Sequence, residues 1–395
     1  MTMPPAQPGS AAGGRKIRLL FISSINVRWM HLEWIAQELD RETFDVSFLL
    51  VSIAPYPPHM AKVLQELGIP FRVLECKLRP REILRTVREI RRYCREERVE
   101  VVHTHIFFAS LVGLLGAWLA GVPVRINTRH HASMNHGTSY YWLDRLTAAL
   151  GNRIVATSEM LARVLAREKA SSREVKLIHL GIDAQRFREV PEEAVRALAA
   201  RYNPAGASPV IGVIARHIEL KGIQYVIPAF QRLLERYPNA YLILGYATGP
   251  YHGKIQELLA PIPQDRYIQI EFELDVFALY RLFDVFVHAP IGEEEESFGL
   301  TFLEALASGV PSVFTLSGVG PELLEHRRNA WIVDYRNSDQ IYEGIVTLLE
   351  DPELRESLAR AGRETIDERF SHRRMVRQLE NLYRESFQEL AGGHS

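Results

Sequence analysis

The chain reads as an α/β protein made of two doubly wound parallel-sheet domains. Short apolar runs alternate with helical periods almost throughout, the rhythm of parallel strands covered on both faces. That rhythm loosens after Phe187, meets the breaker cluster Asn203-Pro204-Ala205-Gly206-Ala207-Ser208-Pro209, and then starts again. A length of 395 residues suffices for two such cores.

The first 15 residues are rich in Pro, Ala and Gly with no apolar stretch, which predicts a disordered tail rather than a signal peptide. In residues 16–190, strands are expected at Ile17–Ser23, Asp45–Ile53, Ile69–Glu75, Val99–His103, Val122–Thr128 and Arg153–Thr157. Between Arg79 and Arg98, Ile83, Leu84, Val87, Ile90 and Cys94 form one helical stripe with the arginines mostly outside it. The run Phe107 to Val122 contains Ser110 and several glycines and is shorter than a membrane span, so it predicts a buried helix. Residues 191–209 form a linker region. In residues 210–370, strands are expected at Val210–Ala215, Ala240–Leu244, Tyr267–Glu271, Val285–His288 and Ser312–Leu316. Helices are expected at Gly222–Arg236, Val276–Phe283 and Leu300–Ser308, and again from Asn337 to Leu390.

Apolar residues make up 47% and charged residues 24%, the composition of an ordinary soluble protein. Two cysteines, Cys76 and Cys94, build no disulfide framework, so a reducing cytoplasm is expected. The net charge of −1 hides an asymmetry: bases exceed acids in residues 1–190 and acids exceed bases beyond. A basic half favours an anionic membrane or acceptor, and equally fits arginines that solvate helix faces. No aromatic residues interleave with the basic ones, so nucleic acid is not expected as a partner.

Three segments of the second half carry chemistry. Glu296-Ser297-Phe298-Gly299-Leu300-Thr301-Phe302-Leu303-Glu304 sets two acids eight positions apart, the second inside a short apolar helix that ends at Gly309. A lone Glu there needs a partner, and a sugar with vicinal hydroxyls would serve. Ala215-Arg216-His217-Ile218-Glu219-Leu220-Lys221-Gly222 places two cations where a strand passes into a helix, a setting suited to a diphosphate. Ser317-Gly318-Val319-Gly320-Pro321-Glu322 is a second strand-to-helix turn, read as a wall of the site or as a plain turn. In the first half, Val101-Val102-His103-Thr104-His105 and Thr128-Arg129-His130-His131 close two strands. His103, His105, His130, His131 and His136 lack Asp, Glu or Cys at ligand spacing, so no metal is expected. The acids Glu293-Glu294-Glu295 beside Glu296 repel one another and read either as a solvated loop or as a lining for a hydroxyl-rich ligand.

Together these segments closely resemble the retaining GT-B glycosyltransferases of family 4, the E-x7-E group 1 enzymes. The resemblance runs from about residue 16 and is strongest from Arg216 to Asp334. It implies two Rossmann-like domains facing a central cleft, with residues 371–395 packing back on the first. It further implies sugar transfer from a nucleotide-diphosphate sugar, UDP- or GDP-linked, with retention and without metal or other cofactor. Arg216 and Lys221 would hold the diphosphate, and Glu304 the ribose. Glu296, with Phe298, Gly299 and Leu300, would orient the donor sugar, and His130 would lie close to the reacting sugar. Asn26, Arg28, His105, His131, Gly318 and Glu322 are the acceptor or cleft candidates. Ala215 stands where the family has Gly, Val319 replaces a second Gly, and the first loop, Ser23-Ser24-Ile25-Asn26-Val27-Arg28, lacks the family's glycine pair. The acceptor is expected in envelope polysaccharide, glycolipid or related glycan synthesis, with peripheral contact at the inner membrane face through the basic domain. The alternatives are a small soluble metabolite as acceptor, or a non-catalytic nucleotide-sugar-binding protein.

Overall fold

The computed structural model describes residues 15–24, 29–53, 59–131, 138–170 and 174–391. The first sheet contains β1 (Ile17–Ser23), β2 (Phe44–Ser52), β3 (Phe71–Glu75), β4 (Val101–His105), β5 (Val124–Arg129), β6 (Arg153–Ala156) and β7 (Val175–Leu177), in the order β3-β2-β1-β4-β5-β6-β7. The second contains β8 (Val210–Ile214), β9 (Tyr241–Gly245), β10 (Tyr267–Ile270), β11 (Val285–His288), β12 (Ser312–Phe314) and β13 (Trp331–Ile332), in the order β10-β9-β8-β11-β12-β13. Each sheet grows one way from its first strand and then reverses. The switch points lie between β1 and β4 and between β8 and β11, where open α/β sheets bind ligands.

The central strands β4, β8 and β11 are buried along their whole length; β8 and β11 accordingly read as nearly continuous apolar runs, whereas β4 buries His103, Thr104 and His105. β4 begins and ends two residues later than expected, which carries His105 into the strand. The short strands β7 and β13 carry too little apolar sequence to have been foreseen. The Leu300–Ser308 helix and β11 have the expected bounds. The C-terminal helical region divides at Asp351, whose side chain accepts from Leu354 N at 2.9 Å and caps the helix that opens with Pro352.

By internal contacts the chain forms two compact units. One holds the described residues of Met1–Thr128, Leu143–Ile154 and Leu379–Ser395, and the other those of Arg129–Trp142 and Val155–Gln378. Within the first, the terminal helical segment is tied to the sheet. Tyr383 Oη meets His103 Nδ1 at 2.7 Å, and Glu380 accepts from Asp40 N at 2.8 Å. Within the second, Ile211, Val213, Leu242, Val285 and Phe230 pack into the core beneath β8, β9 and β11.

Candidate functional site

The segment after β8 and the segment after β11 meet closely. Gly222 opens the Ile223–Arg236 helix at φ +71, and a Cβ there would lie 1.8 Å from Ala289 O. Only glycine allows both the left-handed backbone and this approach. Ile291 N donates to Leu220 O at 3.1 Å, fastening the two segments together. Lys221 is thereby brought onto Glu296.

Glu296 is buried, and its Oε1 receives both the Lys221 ammonium and, at 2.9 Å, His288 Nε2. Burial pushes this carboxyl up, but the charge of Lys221 and the hydrogen bond from His288 outweigh it and hold it at about 2. Burial pushes His288 down, more than Glu296 raises it. His288 is therefore a neutral donor through Nε2, and its buried Nδ1 has no partner among the described residues. The backbone of this loop is fastened as well. Glu296 N donates to Ser317 Oγ at 3.0 Å, Gly318 N to Glu293 O at 2.9 Å, and Val319 N to Phe298 O at 2.9 Å. Gly318 has φ +59 and Gly299 φ +92, and a Cβ on either would collide with Phe298 O or the Phe302 ring at 2.6 Å. Phe298 is buried and Leu300 begins the following helix.

Glu304 lies within that helix. The sequence left its partner open to a ligand; the structure supplies a protein one. Tyr280 Oη donates to Glu304 Oε2 at 3.0 Å, and Tyr280 is itself fully buried. Burial raises the Glu304 carboxyl from the ordinary 4.5 to about 7, and Tyr280 only partly opposes this. Arg216 is exposed and has no ion pair among the described residues, so its guanidinium remains available to an anion.

Other candidates are engaged elsewhere. Glu322 accepts from Glu159 N at 2.7 Å through one oxygen and contacts His179 Nε2 at 2.6 Å through the other. Both oxygens are occupied, which makes Glu322 an anchor for the Glu159–Arg167 helix. Ser158 caps that helix and also donates to Ser297 O at 2.8 Å. The acidic run is not a bare solvated loop: Glu293 pairs with Arg163 and Glu294 with Arg167, one helical turn apart.

His130 and His131 follow β5, both half-buried. Arg129 fastens this turn. Its Nε donates to His131 O at 2.9 Å, while Nη2 reaches both oxygens of buried Glu168 at 3.0 Å. His103 belongs to the core, between Tyr383 and Thr128 Oγ1 at 2.7 Å, and burial lowers its pKa to about 3. His105, at the end of β4, is buried with its ring 4.3 Å from that of His103. Asn26, Arg28 and His136 lie outside the described residues. Tyr280 and His288 escaped sequence reasoning. His288 had a signal in its place at the last residue of β11, where ligand-binding side chains of such sheets stand; Tyr280 had none.

Two doubly wound sheets, with paired cations and acids at the second switch point, define a GT-B protein. The Anabaena protein HepE, solved with UDP and glucose, has the same fold, at a TM-score of 0.78 and 20% identity over 93% of this chain and 99% of that one. The model for glycosyl transferases group 1 matches residues 196–365, and that for glycosyltransferase family 4 matches residues 30–186. The chain belongs to the family 4, group 1 glycosyltransferases. Among curated relatives, the N-acetyl-alpha-D-glucosaminyl L-malate synthase of Bacillus anthracis is 22% identical over 73% of this chain and 75% of its own length. A GDP-mannose-dependent alpha-(1-6)-phosphatidylinositol monomannoside mannosyltransferase of Mycobacterium tuberculosis is 28% identical over 47% of this chain and 49% of its own length.

Proposed function

We propose that this glycosyltransferase moves a sugar from a UDP- or GDP-linked donor to a hydroxyl of an envelope glycan or glycolipid, with retention at the anomeric carbon and without a metal. The carrying observation is the group Lys221, Glu296 and His288, with the uncommitted Arg216 in the same segment after β8 as Lys221. The leaving nucleoside diphosphate develops charge that preorganised cations must meet. Arg216 can grip it bidentately, and Lys221 can turn from Glu296 to a phosphate oxygen. The N-terminus of the Ile223–Arg236 helix adds oriented N–H groups.

Glu296 is a poor candidate for a nucleophile, being ionised, buried and already hydrogen-bonded. Its role in this reading is to hold Lys221 when the site is empty and to orient the donor sugar when it is full. Glu304 accepts the two ribose hydroxyls. His130 and the backbone around Phe298, Gly299 and Leu300 are assigned to the sugar, and His131 and Gly318 to the surrounding walls. The UDP in the HepE structure and the GDP-mannose of the mycobacterial relative support a nucleotide-sugar donor. The phosphatidylinositol acceptor of that relative supports a lipid-linked one. The Bacillus relative favours a second reading, a small metabolite as acceptor. Among the described residues no helix is long and apolar enough to cross a membrane; we place the protein in the cytoplasm, peripheral at the inner membrane face.

Thermal shifts with UDP, GDP, ADP and their sugar conjugates test the donor reading. A ligand at about 100 times its Kd should stabilise the chain by roughly 2.7 kcal/mol. Activity that survives a chelator and a product with the donor's anomeric configuration are the further expected results. Silence with every nucleotide and candidate acceptor would move the reading to a non-catalytic protein.

A further inference from the structure

In the first unit the Pro80–Glu96 and Phe107–Ala120 helices lie side by side. A Cβ on Gly116 would fall 2.7 Å from Ile90 Cγ2, and Arg91 Nε and Arg95 Nη2 donate to Leu119 O at 3.2 and 3.4 Å. At this shared end Trp118 and Leu119 are 53% and 41% exposed, and Leu84, towards the start of the neighbouring helix, is 54% exposed. Leu84, Arg88, Arg91 and Arg95 follow the i, i+4, i+7, i+11 spacing of one helix face.

Charge on this face is selectively uncompensated. Glu89 and Glu96 are paired with Arg85 and Arg92 at 3.6 and 3.8 Å. Arg88, Arg91 and Arg95 have no carboxylate partner among the described residues; two of them spend donors on a helix-end carbonyl. A large aromatic and an aliphatic side chain, exposed at a helix end whose carbonyl is reached by two arginines without carboxylate partners, suit the boundary between lipid headgroups and acyl chains.

We infer that this face docks on an anionic bilayer. Trp118 and Leu119 enter the headgroup layer, while Arg88, Arg91 and Arg95 lay their stems along it and pair with lipid phosphates. The inference names the surface for the peripheral contact proposed above and rests on that reading. Two exposed apolar side chains are too little to hold the protein on a neutral membrane, so the arginines and an anionic lipid are both required.

The test is co-sedimentation of the full chain with vesicles of phosphatidylcholine alone or with about one third phosphatidylglycerol, at low and high salt. Binding to the anionic vesicles only, lost at high salt, is expected. Arg88→Glu alters an exposed side chain with no partner among the described residues and should weaken binding roughly tenfold. Trp118→Ala should weaken it about fivefold or more. The UDP and GDP thermal shifts are measured on the same proteins and should be unchanged in both variants, which shows that they fold. Equal binding to neutral vesicles, no binding to either kind (as for a surface that meets a protein), or variants that bind like the parent would each overturn the inference. Vesicle binding that depends on Arg88 and Trp118, in a chain that no nucleotide stabilises, would sink the donor reading and leave this surface standing.

Discussion

Replacing Glu304 by Gln should make the protein more stable and worse at holding a nucleotide. Gln has the shape of the protonated acid, and its carbonyl can accept the Tyr280 hydroxyl that Glu304 accepts at 3.0 Å. What the substitution removes is the ionisation of a buried group. The Glu304 carboxyl titrates at about 7 in the folded protein against an ordinary 4.5. At ~1.36 kcal/mol per unit, that difference is worth about 3 kcal/mol. Between those two pKa values the unfolded chain has released the proton and the folded chain still holds it. Stability therefore falls as pH rises through this window and levels off above it. Glu304→Gln should match the parent below pH 4.5 and exceed it by about 3 kcal/mol near pH 8. Urea unfolding at several pH values measures this directly. The same variant should lose most of the thermal shift given by the preferred nucleoside diphosphate, because with its carbonyl on Tyr280 the amide presents an NH2 donor where the carboxylate presented its second acceptor oxygen to the ribose. A variant that is no more stable than the parent at pH 8 would refute the burial argument. A variant that keeps the full nucleotide shift would remove Glu304 from the ribose.

Four other results are expected. Nucleotide affinity in the parent should fall about tenfold per unit as pH drops below about 7, with proton release on binding, because the ribose selects the ionised Glu304; calorimetry in buffers of different ionisation enthalpy reads both. Lys221→Met should destabilise the chain by about 3 kcal/mol, since it strands a buried Glu296, and adding Glu296→Gln should restore most of that in unfolding curves. Arg216→Ala should change stability by less than about 0.5 kcal/mol, because the side chain is exposed, yet slow transfer by about 100-fold; an unchanged rate would take the diphosphate away from it. Gly222→Ala should cost more than about 2 kcal/mol, because a Cβ 1.8 Å from Ala289 O cannot fit without moving the Lys221 turn.

Much of the fold was legible because its signals are local. An apolar run bounded by breakers announces a strand wherever it will pair, and the Leu300–Ser308 helix could be bounded from its own residues and Gly309. The same holds for Arg216 and Lys221, which stand where a strand gives way to a helix. Spacing along the chain also made Glu296 and Glu304 candidates without any knowledge of their neighbours.

The neighbours are another matter. Lys221 and Glu296 were read as separate contacts to a donor, yet across 75 residues they form one ion pair, with His288 as a third member. Tyr280 reaches Glu304 from a different helix, and Glu322, an apparent cleft residue, spends both oxygens on Glu159 and His179. Glu293 and Glu294 resembled a solvated run until Arg163 and Arg167 were placed against them. The residue types and local elements were in the sequence because propensity, periodicity and turn chemistry act over a few residues. Which charges are paired and which are left for a ligand came only with the tertiary structure. The Lys221–Glu296–His288 group follows from the strand order that sets β8 beside β11, and distance in space, not spacing in sequence, governs burial and Coulomb energy.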